Sequence, residues 1–240
     1  MRTAFLSPRL DPRLAAVAAF VPPGARVADV GADHGRLAEA LLRADVARSC
    51  VATEAALRGL RRLRDRLGEH GLGERLVLRC GDGLAPLEPA DRLDVVVLAG
   101  LGGESIVRIL SSPRREALGI RRYVLQPATD APRVRRWLCA HGLGRMDERL
   151  VEVRGRFHPV IAAEDGAALP LPPDLPDLDE DDVLEAGAPL LARRDPALVP
   201  YWSAALRRQR LILKEATPGR GRSEALRVAG VAERVLAWLG

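Results

Sequence analysis

The chain has 240 residues, enough for one α/β domain of ordinary size and a small appendage. An apolar share of 48% supports a sizeable core, and an aromatic share of 3% leaves Leu, Val and Ala to fill it. The formal net charge of +5 suits a polyanionic partner such as RNA, whereas the lack of any run of about 18 apolar residues and of a secretory leader pattern argues against a membrane span and points to the cytoplasm.

Ser7-Pro8 opens a helix whose apolar face is Leu10, Leu14, Val17 and Val21, stopped by Pro22-Pro23-Gly24. Val27 to Val30 reads as a buried strand. A turn through Gly31 and Gly35 follows, then a helix with Leu37, Ala38, Leu41 and Leu42 inward. Strand, glycine turn and helix is how an open α/β sheet builds a nucleotide site. The spacing Asp29-x-Gly31-x-Asp33-x-Gly35 lacks the second glycine of a dinucleotide fingerprint, and Asp33 would repel a pyrophosphate, which disfavours a nicotinamide dehydrogenase. A cationic ligand is the alternative, and plain capping of the next helix by Asp29 and Asp33 stays open beside it.

Ser49 to Thr53 is the second strand. It ends in Glu54, 19 residues after Gly35, close to the spacing of roughly 20 at which an acid grips a ribose in such folds. A helix from Ala55 to Glu69 turns Leu57, Leu60, Leu63 and Leu67 inward. Its Arg58, Arg61, Arg62, Arg64 and Arg66 read as a solvated face, with phosphate contact as the alternative. Arg75 to Cys80 is the third strand, closed by Gly81-Asp82-Gly83. Leu93 to Ala99 is the fourth, apolar enough for burial on both faces, and Gly100-Leu101-Gly102-Gly103 leads into a helix over 104–110. Arg122 to Leu125 is the fifth, closed by Gln126-Pro127, before a helix near 131–141. Arg149 to Val153 and Pro159 to Ala163 form an antiparallel pair about Arg154-Gly155-Arg156. The three cysteines, Cys50, Cys80 and Cys139, are far apart and read as buried thiols, and no zinc tetrad or other metal site is spelled.

This alternation predicts a doubly wound, Rossmann-like parallel sheet with an antiparallel edge over residues 1–165. Residues 166–195, rich in proline and acid, read as a linker. Residues 196–240 read as a helical hairpin of coiled-coil type, with Leu198, Trp202, Ala205, Gln209 and Ile212 facing Val228, Val231, Val235 and Trp238. Its basic surplus, including Arg207, Arg208, Arg227 and Arg234, modestly favours RNA. Packing on the domain or on a second copy, as a homodimer, is the plainer use.

The set of turns at the strand ends resembles the bacterial tRNA (adenine-22-N1)-methyltransferase family, of the class I S-adenosylmethionine-dependent type. Asp29-Val30-Gly31-Ala32-Asp33-His34, Gly81-Asp82-Gly83, Ala99-Gly100-Leu101-Gly102-Gly103 and Leu125-Gln126-Pro127 carry it, with Leu6-Ser7-Pro8-Arg9-Leu10 at the start. Ala128 stands where that family has Asn, and Arg36 where it has Tyr. The resemblance implies methyl transfer from S-adenosyl-L-methionine to adenine N1 in tRNA. It implies a cofactor site of Asp29, Gly31, Asp33, Glu54, Ala55, Gly81, Asp82, Gly83, Ala99 and Gly100. Asp33, His34 and Gln126 are the expected catalytic groups, although a His at a helix start is more often a hydrogen-bonded terminus residue. Arg9, Arg36, Gly102, Gly103, Arg207 and Arg208 are expected on the substrate. Adenine N1 has its own in-plane lone pair, so alignment rather than a strong base is the requirement. A binding protein without catalysis, and a methyltransferase for another RNA or a small molecule, are the competing readings.

Overall fold

The computed structural model describes residues 10–68, 72–168, 170–175, 177–215 and 217–240. Seven strands form one sheet. They are β1 (Ala25–Val30), β2 (Ala47–Glu54), β3 (Leu76–Cys80), β4 (Val95–Gly102), β5 (Arg122–Thr129), β6 (Arg145–Val153) and β7 (Arg156–Glu164). Their order is β3-β2-β1-β4-β5-β7-β6. The first five are mutually parallel, and β7 runs antiparallel to both β5 and β6. The expected doubly wound sheet with an antiparallel edge is therefore present. The order reverses between β1 and β4, the place where such sheets open a crevice at their carboxyl edge.

Both faces of the sheet are covered, which is why β4 is apolar throughout. Val95 and Val97 point into one layer with α1 (Pro12–Ala19), α2 (Arg36–Arg43) and α3 (Leu57–Gly68). Val96 and Leu98 point into the other, against α4 (Gly103–Leu110) and α6 (Ala131–Ala140). A short helix, α5 (Arg114–Ala117), precedes β5. The opening helix begins at Pro12 with Asp11 as its cap, whose carboxylate accepts from the Leu14 amide. The cap expected at Ser7-Pro8 lies outside the described residues. In α3 the inward set is Leu60, Leu63 and Leu67, while Leu57 is exposed, because the helix starts two residues later than expected and Leu57 stands at its open end.

The β6–β7 pair is longer than the sequence suggests, reaching from Arg145 opposite Glu164 to Val153 opposite Arg156. Arg154 and Gly155 both have positive φ, the backbone of a two-residue hairpin turn that matches strand twist. Of the cysteines only Cys50 is buried. Cys80 and Cys139 are exposed at an element end and a helix surface, contrary to expectation.

The proline- and acid-rich stretch is more structured than a linker. It contains α7 (Glu180–Ala186) and α8 (Ala188–Ala192). Asp179 caps α7 through the Asp182 amide. These helices join α9 (Leu198–Glu215) and α10 (Arg220–Leu239) in a separate core. Leu190, Leu198, Trp202, Val228, Val231 and Val235 lie in it, and Leu150 of β6 packs against it. Ile212 is left exposed, since α9 outruns the cover its partner provides near the hairpin tip. Among the described residues no helix is long and apolar enough to cross a membrane.

A buried ion pair joins this appendage to the sheet. Arg135 of α6 binds Glu148 of β6 at 2.5 and 3.1 Å, and both side chains are almost wholly buried. The same guanidinium donates to the carbonyls of Leu184 and Glu185 at 2.6 and 2.9 Å. These are carbonyls at the end of α7, which helix geometry leaves without partners. Removing one member strands a buried charge, whereas replacing both with apolar residues of similar volume does not. We therefore expect Arg135→Ala to lose about 3–5 kcal/mol of stability in urea titrations. Arg135→Met combined with Glu148→Leu should recover most of that loss.

Candidate active site

The carboxyl edge of the sheet gathers most of the predicted residues. At the end of β1, Asp29 is 4% exposed. Its Oδ2 has no hydrogen-bond partner in the structure. Burial pushes its carboxyl up to about 7. The Ala38 amide opposes that shift and the charge of Glu54 adds to it. The capping reading of Asp29 thus holds for one contact, the Ala38 amide at the start of α2, and leaves the second oxygen unspent. Gly31 follows with φ +75°, and a Cβ there would meet only Leu101, at 3.9 Å. The Gly31 and Ala32 amides both donate to the Thr53 carbonyl at 3.0 Å, which fixes the turn and leaves its outer side open.

Gly35 behaves differently from Gly31. A Cβ on it would lie 2.5 Å from Leu63 and 2.6 Å from Leu67, so this glycine lets α2 start against α3 rather than letting a ligand approach. The N-cap residue of the helix is Gly35 itself, which has no side chain to offer, and Asp33 does not serve as a cap. Asp33 and His34 stand in the open, 74% and 53% exposed, with His34 Nε2 3.6 Å from Asp33 Oδ2. Arg66 secures the turn from the far side. It donates to the His34 carbonyl and binds the buried Glu39 at 2.6 and 2.9 Å. Arg66 is therefore a clamp, not part of a solvated face. Arg58, Arg61, Arg62 and Arg64 are exposed and, among the described residues, form no side-chain hydrogen bond or ion pair.

Glu54 at the end of β2 faces the same turn, and its Oε2 accepts from the Asp33 amide at 3.3 Å. Gly59, one turn into α3, makes room for it. A Cβ on Gly59 would lie 2.5 Å from Glu54 Cγ and 2.9 Å from Cδ. Sequence reading missed Gly59, although a glycine inside an arginine-rich helix is the available signal. Ala55 is exposed beside Glu54. At the end of β3, a Cβ on Gly81 would meet Pro86 at 3.0 Å and one on Gly83 would meet Ile109 at 3.1 Å. The turn is thereby held against α4, and Asp82 projects from it. Asp82 is bound by Arg108 of α4 at 2.7 and 3.1 Å, and this pairing holds its carboxyl below the usual range.

Gln126 has a different position from the one expected of a catalytic group. It is 1% exposed. Its Oε1 accepts from the Gly100 amide at 3.1 Å and from Arg13 at 2.6 Å, and its Nε2 donates to the Pro127 carbonyl at 2.9 Å. It therefore anchors the fourth turn. The β4 register slips between Ala99 and Leu101, and Gly100, with φ +79°, turns its amide toward Gln126 there. Gly103, and more loosely Gly102, also make room for the chain after β5. A Cβ on Gly103 would lie 2.3 Å from the Asp130 carbonyl, and one on Gly102 would lie 3.3 Å from Thr129 Oγ1. Arg13 has no counterpart among the sequence candidates, because only the fold brings α1 over the β4–β5 edge.

A groove of about 960 Å³ opens beyond β5, between the sheet edge and the hairpin. Pro127, Ala128, Thr129, Phe157, His158 and Tyr201 line it, together with Arg156 and Arg208. Its acids are largely neutralised. Arg136 binds Asp181 at 2.5 Å, and Arg227 binds Glu185 at 2.6 Å and Glu224 at 2.7 Å. Burial and the nearby Arg13 hold the His158 ring below the usual histidine range. Of the arginines expected on the substrate, Arg36, Arg207 and Arg208 are exposed, and Arg208 alone of these lines the groove. Arg9 lies outside the described residues. Arg227 and Arg234 are not free cations, since both bind Asp182 of α7.

Two measurements test this geometry. The folded-state pKa of Asp29 lies above its unfolded value near 3.8, so its contribution to stability is complete below pH 4 and is lost as pH rises through 7. Asp29→Asn keeps an acceptor for Ala38 without the charge. Its unfolding free energy should match wild type near pH 4 and exceed it increasingly up to pH 8, by up to about 4 kcal/mol at the top of the window, in urea titrations at each pH. Parallel curves would show that Asp29 is an ordinary acid. Gly59→Ala should leave the melting temperature within a few degrees, because helix propensity offsets the displaced side chain. It should nevertheless weaken ligand binding at the first turn about tenfold, by calorimetry, as Glu54 is pushed from its seat.

Residues 10–161 match the family model described as a methyltransferase domain. A tRNA (adenine(22)-N(1))-methyltransferase of Bacillus subtilis is 31% identical over 158 residues, 66% of this chain and 66% of that protein. A Mycoplasma pneumoniae protein provisionally named a tRNA methyltransferase is 32% identical over 139 residues, 57% of this chain and 62% of that protein. The aligned stretch is thus just under two thirds of each curated relative's length. A Streptococcus pneumoniae protein, assigned provisionally as a tRNA (m1A22) methyltransferase and solved with S-adenosyl-L-methionine, superposes with a TM-score of 0.79 at 27% identity, over 95% of this chain and 100% of that one. The B. subtilis m1A22 tRNA methyltransferase shares the fold, with a TM-score of 0.80 at 24% identity over 97% and 98% of the two chains. With the match running from α1 into β7, across the whole carboxyl edge just described, the chain belongs to the methyltransferase-domain family.

Proposed function

We propose that this chain transfers a methyl group from S-adenosyl-L-methionine to N1 of an adenine in tRNA, with position 22 as the target. The observation that carries the reading is Asp29. Its partnerless buried oxygen lies beneath an open glycine turn, as a cationic, phosphate-free ligand requires. A cation there would favour the ionised carboxylate and draw its pKa back down. Asp29, Gly31 and Asp33 would hold the methionine end of the cofactor. Glu54, with two acceptor oxygens, suits the ribose hydroxyls, and Ala55, Gly81, Asp82 and Gly83 suit the adenine. Ala99 and Gly100 would close the pocket toward β4. Once bound, the cofactor supplies an electrophilic methyl on a sulfonium.

The chain's own task is then to present the base. Adenine N1 is hidden when the base is paired, so the base must leave its stack at a cost of a few kcal/mol. The groove beyond β5 suits a nucleotide, with Phe157 and Tyr201 for stacking and Arg156 and Arg208 for phosphates. Asp33, exposed at the first turn, can stabilise positive charge developing on the ring. Gln126 acts by fixing the Gly100 turn, and His34 by orienting Asp33. Arg36 and Arg207 add exposed cations for the RNA backbone. On this reading the chain works in the cytoplasm on free tRNA.

The presence of Ala128 in the groove wall, where an amide would be expected to grip the base, favours one second reading, a cofactor- and RNA-binding protein without turnover. Incubation with methyl-labelled cofactor and tRNA lacking the modification separates the two. Label should enter tRNA, and mapping should find it on one adenine at N1. Cofactor binding with no incorporation would leave only the second reading. The affinity for tRNA should also fall steeply between 50 and 200 mM salt, roughly tenfold or more for several phosphate contacts.

A further inference from the structure

Four arginines of α3 are treated differently from arginines on the other helices. Arg43 binds Glu39, Arg133 binds Asp130 and Arg227 binds Glu224, in each case an acid one helical turn away. On α3, Arg58, Arg61, Arg62 and Arg64 are exposed, and among the described residues none has a hydrogen-bond or ion-pair partner. Asp65, the one acid in the helix, follows Arg61 by four residues and still forms no pair among the described residues. The hairpin, although basic in sequence, spends much of its charge internally. Arg210 binds Glu233, Arg222 donates to the Leu213 carbonyl, and Arg227 and Arg234 hold Asp182.

Helical spacing concentrates the free charge. Arg58, Arg61 and Arg62 share one face, and Arg64 adjoins Arg61 one turn on, so like charges stand at the separations that weaken a helix. Folding does not require them. Leu60, Leu63 and Leu67 make the core contact, and Arg66 makes the clamp on Glu39. The row begins at the carboxyl edge of the sheet, since Arg58 follows Glu54 by four residues. Exposed Arg36 continues it, on the start of α2 that Gly35 seats against Leu63 and Leu67.

We infer that Arg58, Arg61, Arg62 and Arg64 form a second docking face for RNA, one that takes backbone phosphates. This rests on the tRNA reading above and extends the footprint to a helix outside both the groove and the hairpin. A guanidinium matches a phosphate in planar, bidentate geometry, and a polyanion would relieve the repulsion along the row. α3 packs on β2 and β3, and three strand spacings separate β2 from β5, which puts it roughly 15 Å from the groove at about 4.8 Å per spacing. A single nucleotide in the groove does not reach it, but a folded RNA does. The competing account is a solvated face without a partner.

The test is the salt dependence of binding, by fluorescence anisotropy, for the full chain with unmodified tRNA and with an RNA trinucleotide centred on adenine. One variant replaces all four arginines with Gln, which is a comparable helix former, and a second replaces them with Lys. For tRNA, the slope of log Kd against log salt should become shallower by roughly 3 in the Gln variant, with affinity near 100 mM salt falling about tenfold or more. The Lys variant should keep the wild-type slope, because counterion release depends on charge rather than on fork geometry. Trinucleotide affinity should be unchanged in both, and the Gln variant should melt no lower than wild type. A Gln-variant slope within about 0.7 of wild type, the share of a single phosphate, overturns the proposal. So does an equal loss of affinity for tRNA and trinucleotide. If wild type binds tRNA not at all, the tRNA reading itself falls, and this face with it.

Discussion

The contact between Arg135 and Glu148 determines how the two halves of the molecule meet. Sheet and hairpin have separate cores, and few apolar side chains are shared between them. A guanidinium buried on both sides, satisfied by a carboxylate of β6 and two terminal carbonyls of α7, sets their relative orientation in a way apolar contact alone would not. A hydrophobic joint tolerates sliding, but a charge with all its partners in place does not, because any displacement leaves a buried donor unpaired.

The sheet then divides the work by topology. Reversal of strand order between β1 and β4 puts Asp29, Glu54 and Asp82 on one half of the carboxyl edge and the β4–β5 turns on the other. Three parallel strands end in acids on the first half, where a cationic ligand is proposed. On the second half, the strand ends are capped by Gln126, Arg13 and closely packed glycines, and the walls beyond them carry aromatic rings and free arginines. The two halves touch at Gly100, whose amide Gln126 holds.

Much of this was legible in the residues. The β1 turn, the acid ending β2, the Gly-Asp-Gly turn and the antiparallel edge follow from periodicity and glycine spacing, because those signals are local. Where the reading missed, the missing information was long-range. Gly35 and Gly103 looked like ligand-facing glycines, yet each relieves contact with an element far along the chain, Leu63 and Leu67 in one case and the Asp130 carbonyl in the other. Nothing near Gln126 in sequence announces that Arg13, 113 residues away, completes its hydrogen bonds. The proline-rich stretch read as linker because its helices are short and the first of them, α7, is acidic. α7 is held by arginines of α6 and α10, and α8 by its burial in the second core, rather than by their own propensity.

Those arginines alter what the composition means. A chain whose basic side chains outnumber its acids 37 to 32 looks like a uniformly cationic surface. In fact many of its guanidiniums are internal fasteners: Arg66 on the first turn, Arg79 on Asp91, Arg122 on Glu164, Arg227 and Arg234 on Asp182. Electrolyte therefore acts on such a molecule at two places at once. It screens the unpaired cations that would meet a polyanion, and it also loosens the partly exposed fasteners that shape the surface offered to it. Ionic strength becomes a structural variable of the docking face as well as a competitor for it. Lysine, a point charge without a planar fork, could replace the first group of arginines far more readily than the second.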